Sequence, residues 1–301
     1  MTQLKTEMHH PHAKGFDQRP AEEALAILAQ AQIDAAKAVV PAIPAIAKAA
    51  EAAARAVFSG GKLAYAAAGS SGLMGLADGL ELPGTYGLAP EQIKILLAGG
   101  TESLLRMAGG PEDDGDAARQ AVHEADISEG DCLIALSASG STPFPLAALQ
   151  AAKKRGATTV GVANNSDSPI LQAADIAMYL PTPPEVISGS TRMGASTAQK
   201  IALNMLSTQM AIHLGHVHDG LMVNVIADNA KLRGRAENIV MDVARVGRDR
   251  AAACLQQADG DVKLAIVLAA TGVDLEDAQA KLHAADGQLR KLLPKASGIS
   301  S

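Results

Sequence analysis

The chain has 301 residues, 48% of them hydrophobic but only 2% aromatic, with three Phe, three Tyr and no Trp. Its core must therefore be built from Ala, Leu, Ile, Val and Met, and the length suffices for one large domain or two modest ones. A formal net charge of −6 with so few rings argues against gripping nucleic-acid phosphates or stacking bases, and no apolar run is read as long enough to span a bilayer.

Residues 1–20 read as an irregular, solvated arm. Its His9-His10-Pro11-His12 cluster offers imidazoles, but no Cys or carboxylate stands at ligand spacing, so no metal site is expected. Met1 to Pro20 holds no apolar stretch of the secretion-signal kind. Cys132 and Cys254 are too far apart in sequence to frame a disulfide scaffold, and a soluble cytoplasmic protein is expected. Ala21 to Phe58 is Ala-rich and helical in pattern, and Pro41 and Pro44 should divide it into two helices.

Five short apolar runs follow: Lys62 to Ala68, Ile93 to Ala98, Asp131 to Leu136, Thr158 to Ala163 and Ile176 to Leu180. Each closes on small or turn-forming residues, and helical stretches separate them. That rhythm predicts an α/β fold with a parallel sheet covered by helices on both faces. Ligands in such folds sit beyond the carboxyl ends of the strands. Thr197 to Gly215 and Asp228 to Arg245 read as helices. His213, His216 and His218 near the first of these read as helix-end histidines favoured by the dipole, not as a metal set. Arg250 to Ala258, Val262 to Ala270 and Leu275 to Ala284 read as a small lobe of three helices. The expected division is an arm over 1–20, an α/β domain with its leading helices over 21–248 and a helical lobe over 249–301.

Two strand-to-helix loops carry the densest small and hydroxyl residues, Gly69-Ser70-Ser71-Gly72 and Ser137-Ala138-Ser139-Gly140-Ser141-Thr142. Backbone N–H groups, hydroxyls and a helix N-terminus make such a loop an anion cradle, although Ser and Thr there also serve as plain N-caps. Neither loop is a Walker A or a dinucleotide fingerprint, so ATP and NAD are disfavoured. A third segment, Glu185 to Lys200, places hydroxyls, one carboxylate, Arg192 and Lys200 in a glycine-containing turn and reads as a binding loop.

Over nearly its whole length the chain resembles the bacterial N-acetylmuramic acid 6-phosphate etherases of the sugar isomerase (SIS) group. The resemblance rests on Thr6-Glu7, Pro11 and Phe16-Asp17; on Ala68 to Gly72, Glu81-Leu-Pro-Gly-Thr-Tyr-Gly87 and Ala98-Gly99-Gly100; and on Ser137 to Pro143, Gly189 to Met193, Thr197 to Thr208 and Leu221-Met-Val223. It implies a SIS-type three-layer α/β/α sandwich with a five-stranded parallel sheet, plus a small C-terminal lobe like a ubiquitin-associated domain. It implies cleavage of the D-lactyl ether by elimination and then water addition, with no cofactor and no metal. By resemblance Glu81 is the acid that assists lactate departure and Glu112 the base at C2. Ser70, Ser71, Ser139, Ser141 and Thr142 are implied at the phosphate, and Glu185, Ser190 and Arg192 at the sugar. A homodimer with the site near its interface is implied as well, with a small phosphosugar as the ligand.

The chain departs from that pattern at Leu73, Ser141 and Gly194, where many relatives carry Arg, Arg and Lys. Lys62, Arg106 and Lys200 are candidate replacements, and His9-His10 stands where Arg-Asn is common. Two alternatives stay open at this point, a non-catalytic phosphosugar regulator and a SIS aldose–ketose isomerase. Neither would release lactate.

Overall fold

The computed structural model describes residues 4–293, so 1–3 of the arm and 294–301 of the expected lobe lie outside it. The chain forms two compact units. The first holds residues up to Leu80 and Glu91–Gln209, and the second holds Glu81–Pro90 and the residues from Met210.

In the first unit two helices, α1 (Ala21–Lys37) and α2 (Ile43–Phe58), meet at a 3₁₀ turn over Val40–Ala42. Pro41 and Pro44 stand in the first turns of the 3₁₀ turn and of α2, where a missing N–H costs nothing. An 18-residue window within Ala21–Phe58, of hydropathy 1.2, does reach the length and composition of a membrane span, contrary to the sequence expectation. The chain turns within that stretch, however, and α2 buries Ala49, Ala50, Ala53 and Val57 in the core.

The order then runs β1 (Leu63–Ala67), α3 (Gly69–Tyr86), β2 (Ile93–Leu97), α4 (Gly115–Glu124), β3 (Cys132–Ser137), α5 (Pro143–Lys154), β4 (Thr158–Ala163), α6 (Pro169–Ala173), β5 (Ile176–Tyr179) and α7 (Gly194–His213). Helices α3 and α7 both run on into the second unit. The five strands form one parallel sheet in the order β2-β1-β3-β4-β5. Every residue of β1 and β3 is buried, as a central strand covered on both faces requires, while β2 and β5 are partly open at the edges. One face packs Ala64, Ala66, Leu133 and Ala135 against Phe144, Ala148, Leu149 and Val122 from α4 and α5. On the other, Tyr65 reaches α3: its hydroxyl donates to the buried Asp78 (2.8 Å), whose other oxygen accepts from Asn204 (2.8 Å) and Ser207 (2.9 Å) of α7. Cys132 is a buried strand residue whose thiol burial pushes up to about 12, so it stays un-ionised.

The second unit contains a short antiparallel pair, β6 (Val217–His218) and β7 (Leu221–Met222), then α8 (Ala230–Ala244), α9 (Arg248–Gln257), α10 (Val262–Thr271) and α11 (Leu275–Ala284). Asn229, Asp261 and Asp274 cap α8, α10 and α11 through their side chains. Helix α10 is the centre, buried continuously from Val262 to Leu268 among Ile239, Val240, Ala251, Cys254 and Ala278.

Candidate functional site

The carboxyl ends of β1 and β3 deliver the two hydroxyl-rich segments. The first is no loop. Helix α3 starts at Gly69 itself, so Ser70 and Ser71 occupy its opening turn, half-buried and buried respectively. No hydrogen bond engages either hydroxyl among the described residues. Two unengaged donors at a helix N-terminus suit an anion better than they suit a cap.

The second segment is a ring of hydroxyls. Ser137 Oγ lies 2.8 Å from Thr142 Oγ1 and 3.2 Å from Ser139 Oγ, and the Gly140 N–H donates to Ser137 Oγ (2.9 Å). Ser141 donates to Ser139 from both its amide and its hydroxyl, at 3.2 Å each. Thr142 stands at the N-cap of α5 yet makes no capping bond. Pro145 removes the amide at the third helical position that a cap would serve, and the hydroxyl lies in the ring instead. Gly140 lets the turn close, with φ +74°, and a Cβ there would meet Ser168 Oγ at 2.3 Å. Ser137, 2% exposed, belongs to this ring, although it was not among the residues implied at the phosphate.

Glu112 comes to the same end of the sheet. A Cβ built on Gly69 would sit 2.8 Å from Glu112 Oε1, so the carboxylate rests against the first residue of α3. With Ala67, Ala68, Gly72, Leu73, Leu97 and Met107 it lines a cleft. Burial raises its pKa above the ordinary 4.5, and the Asp113 charge adds to the rise. The crowd of neighbouring acids divides by function: Asp114 caps α4 by accepting from the Ala117 N–H (2.8 Å), and Asp116 pairs with Arg119 (2.6 Å). Burial first, and Asp113 second, thus make Glu112 more basic than a surface carboxylate.

Glu81 is exposed near the end of α3, within the second unit. Pro83 lies inside the helix just beyond it and supplies no backbone N–H there. The turn is held at the Tyr86 carbonyl, which accepts from Asn224 Nδ2 (2.9 Å), and His216 makes a further hydrogen bond to the Tyr86 backbone. Burial, reinforced by the Lys263 charge, pushes His216 down to about 3, so the ring is neutral. The dipole expectation is thereby overturned for His216. His218 is lowered as well, because desolvation and the Arg290 charge outweigh Asp219.

The third segment is organised around a buried carboxylate. Glu185, expected to face the sugar, is 5% exposed, and both of its oxygens accept backbone N–H groups of α7, from Gly194 and Ala195 at 2.9 Å each. It is the N-terminal cap of α7. Burial raises its pKa against the lowering effect of those two bonds. Ser190 is half-buried and Arg192 exposed in the turns that precede the helix.

The arm is not wholly solvated. Thr6 is 4% exposed and exchanges hydrogen bonds with Asn165, a residue of the β4 end that the sequence had not singled out. The His10 and His12 rings lie 5.5 Å apart, tilted by 41°, and no three metal-ligating side chains gather among the described residues.

A SIS domain family model matches residues 104–212, which include β3 to β5, the hydroxyl ring and Glu112. The N-acetylmuramic acid 6-phosphate etherase of Deinococcus radiodurans is 39% identical over 297 residues, 99% of this chain and 97% of that one. The chain belongs to the N-acetylmuramic acid 6-phosphate etherase family. Family members from Aeromonas hydrophila (39% identical, 95% of this chain and 96% of theirs) and Geobacillus thermodenitrificans (37%, 96% and 98%) match over a similar span. Among solved structures, a phosphoheptose isomerase from Francisella tularensis shares 18% identity over 64% of this chain and 96% of its own, with a TM-score of 0.46.

The positions where this etherase-family chain lacks expected cations can now be placed. Leu73 lines the Glu112 cleft, and Ser141 belongs to the hydroxyl ring. Gly194 is closed: a Cβ there would meet Glu185 Oε2 at 3.1 Å and Ala35 Cβ at 3.3 Å, so the Glu185 cap occupies the room of a side chain. Lys62 is no replacement, because it stands before β1, opposite the loops, and donates to the Asp126 carbonyl (2.5 Å). Lys200 is exposed and donates to Asn204, while Arg106 is exposed beside Met107 of the cleft wall.

Proposed function

We propose that the protein cleaves the D-lactyl ether of N-acetylmuramic acid 6-phosphate, giving N-acetylglucosamine 6-phosphate and D-lactate as a carbon–oxygen lyase. The observation that carries this reading is full-length similarity to the etherases, coupled to a half-buried carboxylate, Glu112, against the N-terminus of α3. In the open-chain sugar the aldehyde acidifies the proton on C2. Glu112, made more basic by burial, takes that proton. Glu81 protonates the ether oxygen as lactate leaves from C3, and water then adds to the unsaturated aldehyde. The elimination asks the two carboxyl groups for opposite protonation states, one as base and one as acid. Ser70, Ser71, Ser139, Ser141 and Thr142 hold the phosphate, and Glu185, Ser190 and Arg192 face the sugar. No cofactor is required by this chemistry.

The protein is further proposed to be a cytoplasmic homodimer, organised as an arm over 1–20, a SIS domain over 21–248 and a ubiquitin-associated-like lobe over 249–301. Support for the dimer comes from α1, which buries Ala35 alone of its 17 residues while Leu25 and Ile33 are 62% and 50% exposed. Val40 and Ile43 extend the same apolar series at 61% and 46%. A second copy covering these residues explains why so apolar a helix is so little buried.

D-lactate release from purified protein and N-acetylmuramic acid 6-phosphate tests the reaction. Release that Glu112→Gln and Glu81→Gln each reduce by about 10²–10⁴-fold is the expected result. Sugar-phosphate binding without lactate would reassign the chain as a regulator, and interconversion of hexose phosphates would reassign it as an isomerase.

A further inference from the structure

We propose that the N-terminal arm is a positioning element of the phosphosugar site, with Thr6 acting through Asn165 on the hydroxyl ring. The proposal rests on the reading above that this ring binds the phosphate.

Asn165 follows β4 and is 3% exposed. Its Nδ2 donates to the Ala138 carbonyl at 3.0 Å and lies 3.4 Å from the Ser139 carbonyl, both inside the ring segment. The same Nδ2 donates to Thr6 Oγ1 (3.1 Å), and Asn165 Oδ1 accepts from the Thr6 N–H (3.3 Å). One buried amide therefore grips the arm with both its ends and the ring with one. The arm also reaches the turns that carry Ser190 and Arg192. The Gly189 N–H donates to the Thr6 carbonyl (3.2 Å), and Ser188 Oγ donates to the Glu7 carbonyl (3.2 Å). Lys5 Nζ donates to the Pro181 carbonyl (3.3 Å) in the strand-to-turn connection between the two.

Thr6 is thus hydrogen-bonded on one side to the residue that braces the hydroxyl ring and on the other to the turn preceding α7. Ring and turn belong to separate stretches of chain, and the bonds through Thr6 fix one against the other. Neither Thr6 nor Asn165 needs to touch the ligand. Their effect is to hold the ring hydroxyls and the Ser190 turn at one spacing before the ligand arrives, which lowers the ordering cost of binding.

The test is calorimetric binding of N-acetylglucosamine 6-phosphate to the full chain, with steady-state lactate release and thermal unfolding alongside. Thr6→Val keeps the shape and removes the hydroxyl, so Asn165 Nδ2 loses its tie to the arm and keeps only the Ala138 and Ser139 carbonyls. It should raise Kd and KM about tenfold with kcat nearly unchanged, because Glu81 and Glu112 are untouched. Thr6→Ser should restore wild-type binding. Asn165→Asp, which removes the donors to Ala138 and Thr6, should weaken binding at least as far. If it fails to fold, the Thr6 pair decides alone. Unchanged Kd in Thr6→Val with only a lowered unfolding midpoint would overturn the proposal, as would a Thr6→Ser protein as weak as Thr6→Val. Wild-type protein that binds no N-acetylglucosamine 6-phosphate would instead refute the phosphosugar reading on which the proposal stands.

Discussion

Replacing Gly69 with Ala separates the stability of the fold from the placement of the proposed base. Gly69 has φ +52°, and a left-handed conformation costs an L-residue about 1–2 kcal/mol. The new Cβ would stand 2.8 Å from Glu112 Oε1, about 0.6 Å inside the 3.4 Å at which ordinary contact begins. That atom is the free end of a flexible side chain, so relief costs little energy but moves the carboxylate. A 1 Å misplacement of a catalytic group costs up to about 10²-fold, so a shift of about 0.6 Å predicts roughly a tenfold loss of kcat. Gly60→Ala is the control, because its φ is +82° and nothing lies within 4 Å of a Cβ there. Both variants should lose similar stability in urea, and only Gly69→Ala should lose lactate release. Equal activity in the two proteins would refute the assignment of Glu112 to the reacting centre.

Further outcomes follow from the same geometry. The base works only when ionised, so kcat/KM should rise with pH through the Glu112 pKa, on a limb above the ordinary carboxylate value of 4.5. Asp113→Asn removes the second of the two raising causes, so a pH–rate profile should show this limb displaced to lower pH. Glu185→Ala leaves two N–H groups of α7 without their acceptors in a buried setting. Urea denaturation should show a loss of about 1–3 kcal/mol, and an unchanged midpoint would remove Glu185 from the cap. Leu25→Glu combined with Ile33→Glu should convert a dimer to a monomer in sedimentation velocity without unfolding the chain, since both side chains are half or more exposed.

The strands were legible because each is a short, largely apolar run ended by glycine, proline or a polar turn, a pattern carried by neighbouring residues. The two hydroxyl-rich segments were legible for the same reason, since they follow β1 and β3 directly. Glu81 and Glu112 were legible only through resemblance. A Glu among Asp113, Asp114 and Asp116 reads locally as a solvated acidic turn, and only folding reveals that Gly69 and the cleft wall partly desolvate it while Asp114 and Asp116 are otherwise engaged.

The amino-acid sequence by itself determined an aliphatic, α/β chain whose polar strand ends suit a phosphate, because periodicity and turn chemistry act over a few neighbouring residues. Tertiary structure decided which polar groups meet across long separations. It gave Glu185 to the α7 cap and placed Lys62 at the end of the sheet away from the loops. It also bonded Thr6 to Asn165, 159 residues away, where sequence alone gave a free arm. Such pairings have no local signature, since hydrogen bonds are selected by which buried donors and acceptors the packed chain brings within 3.5 Å.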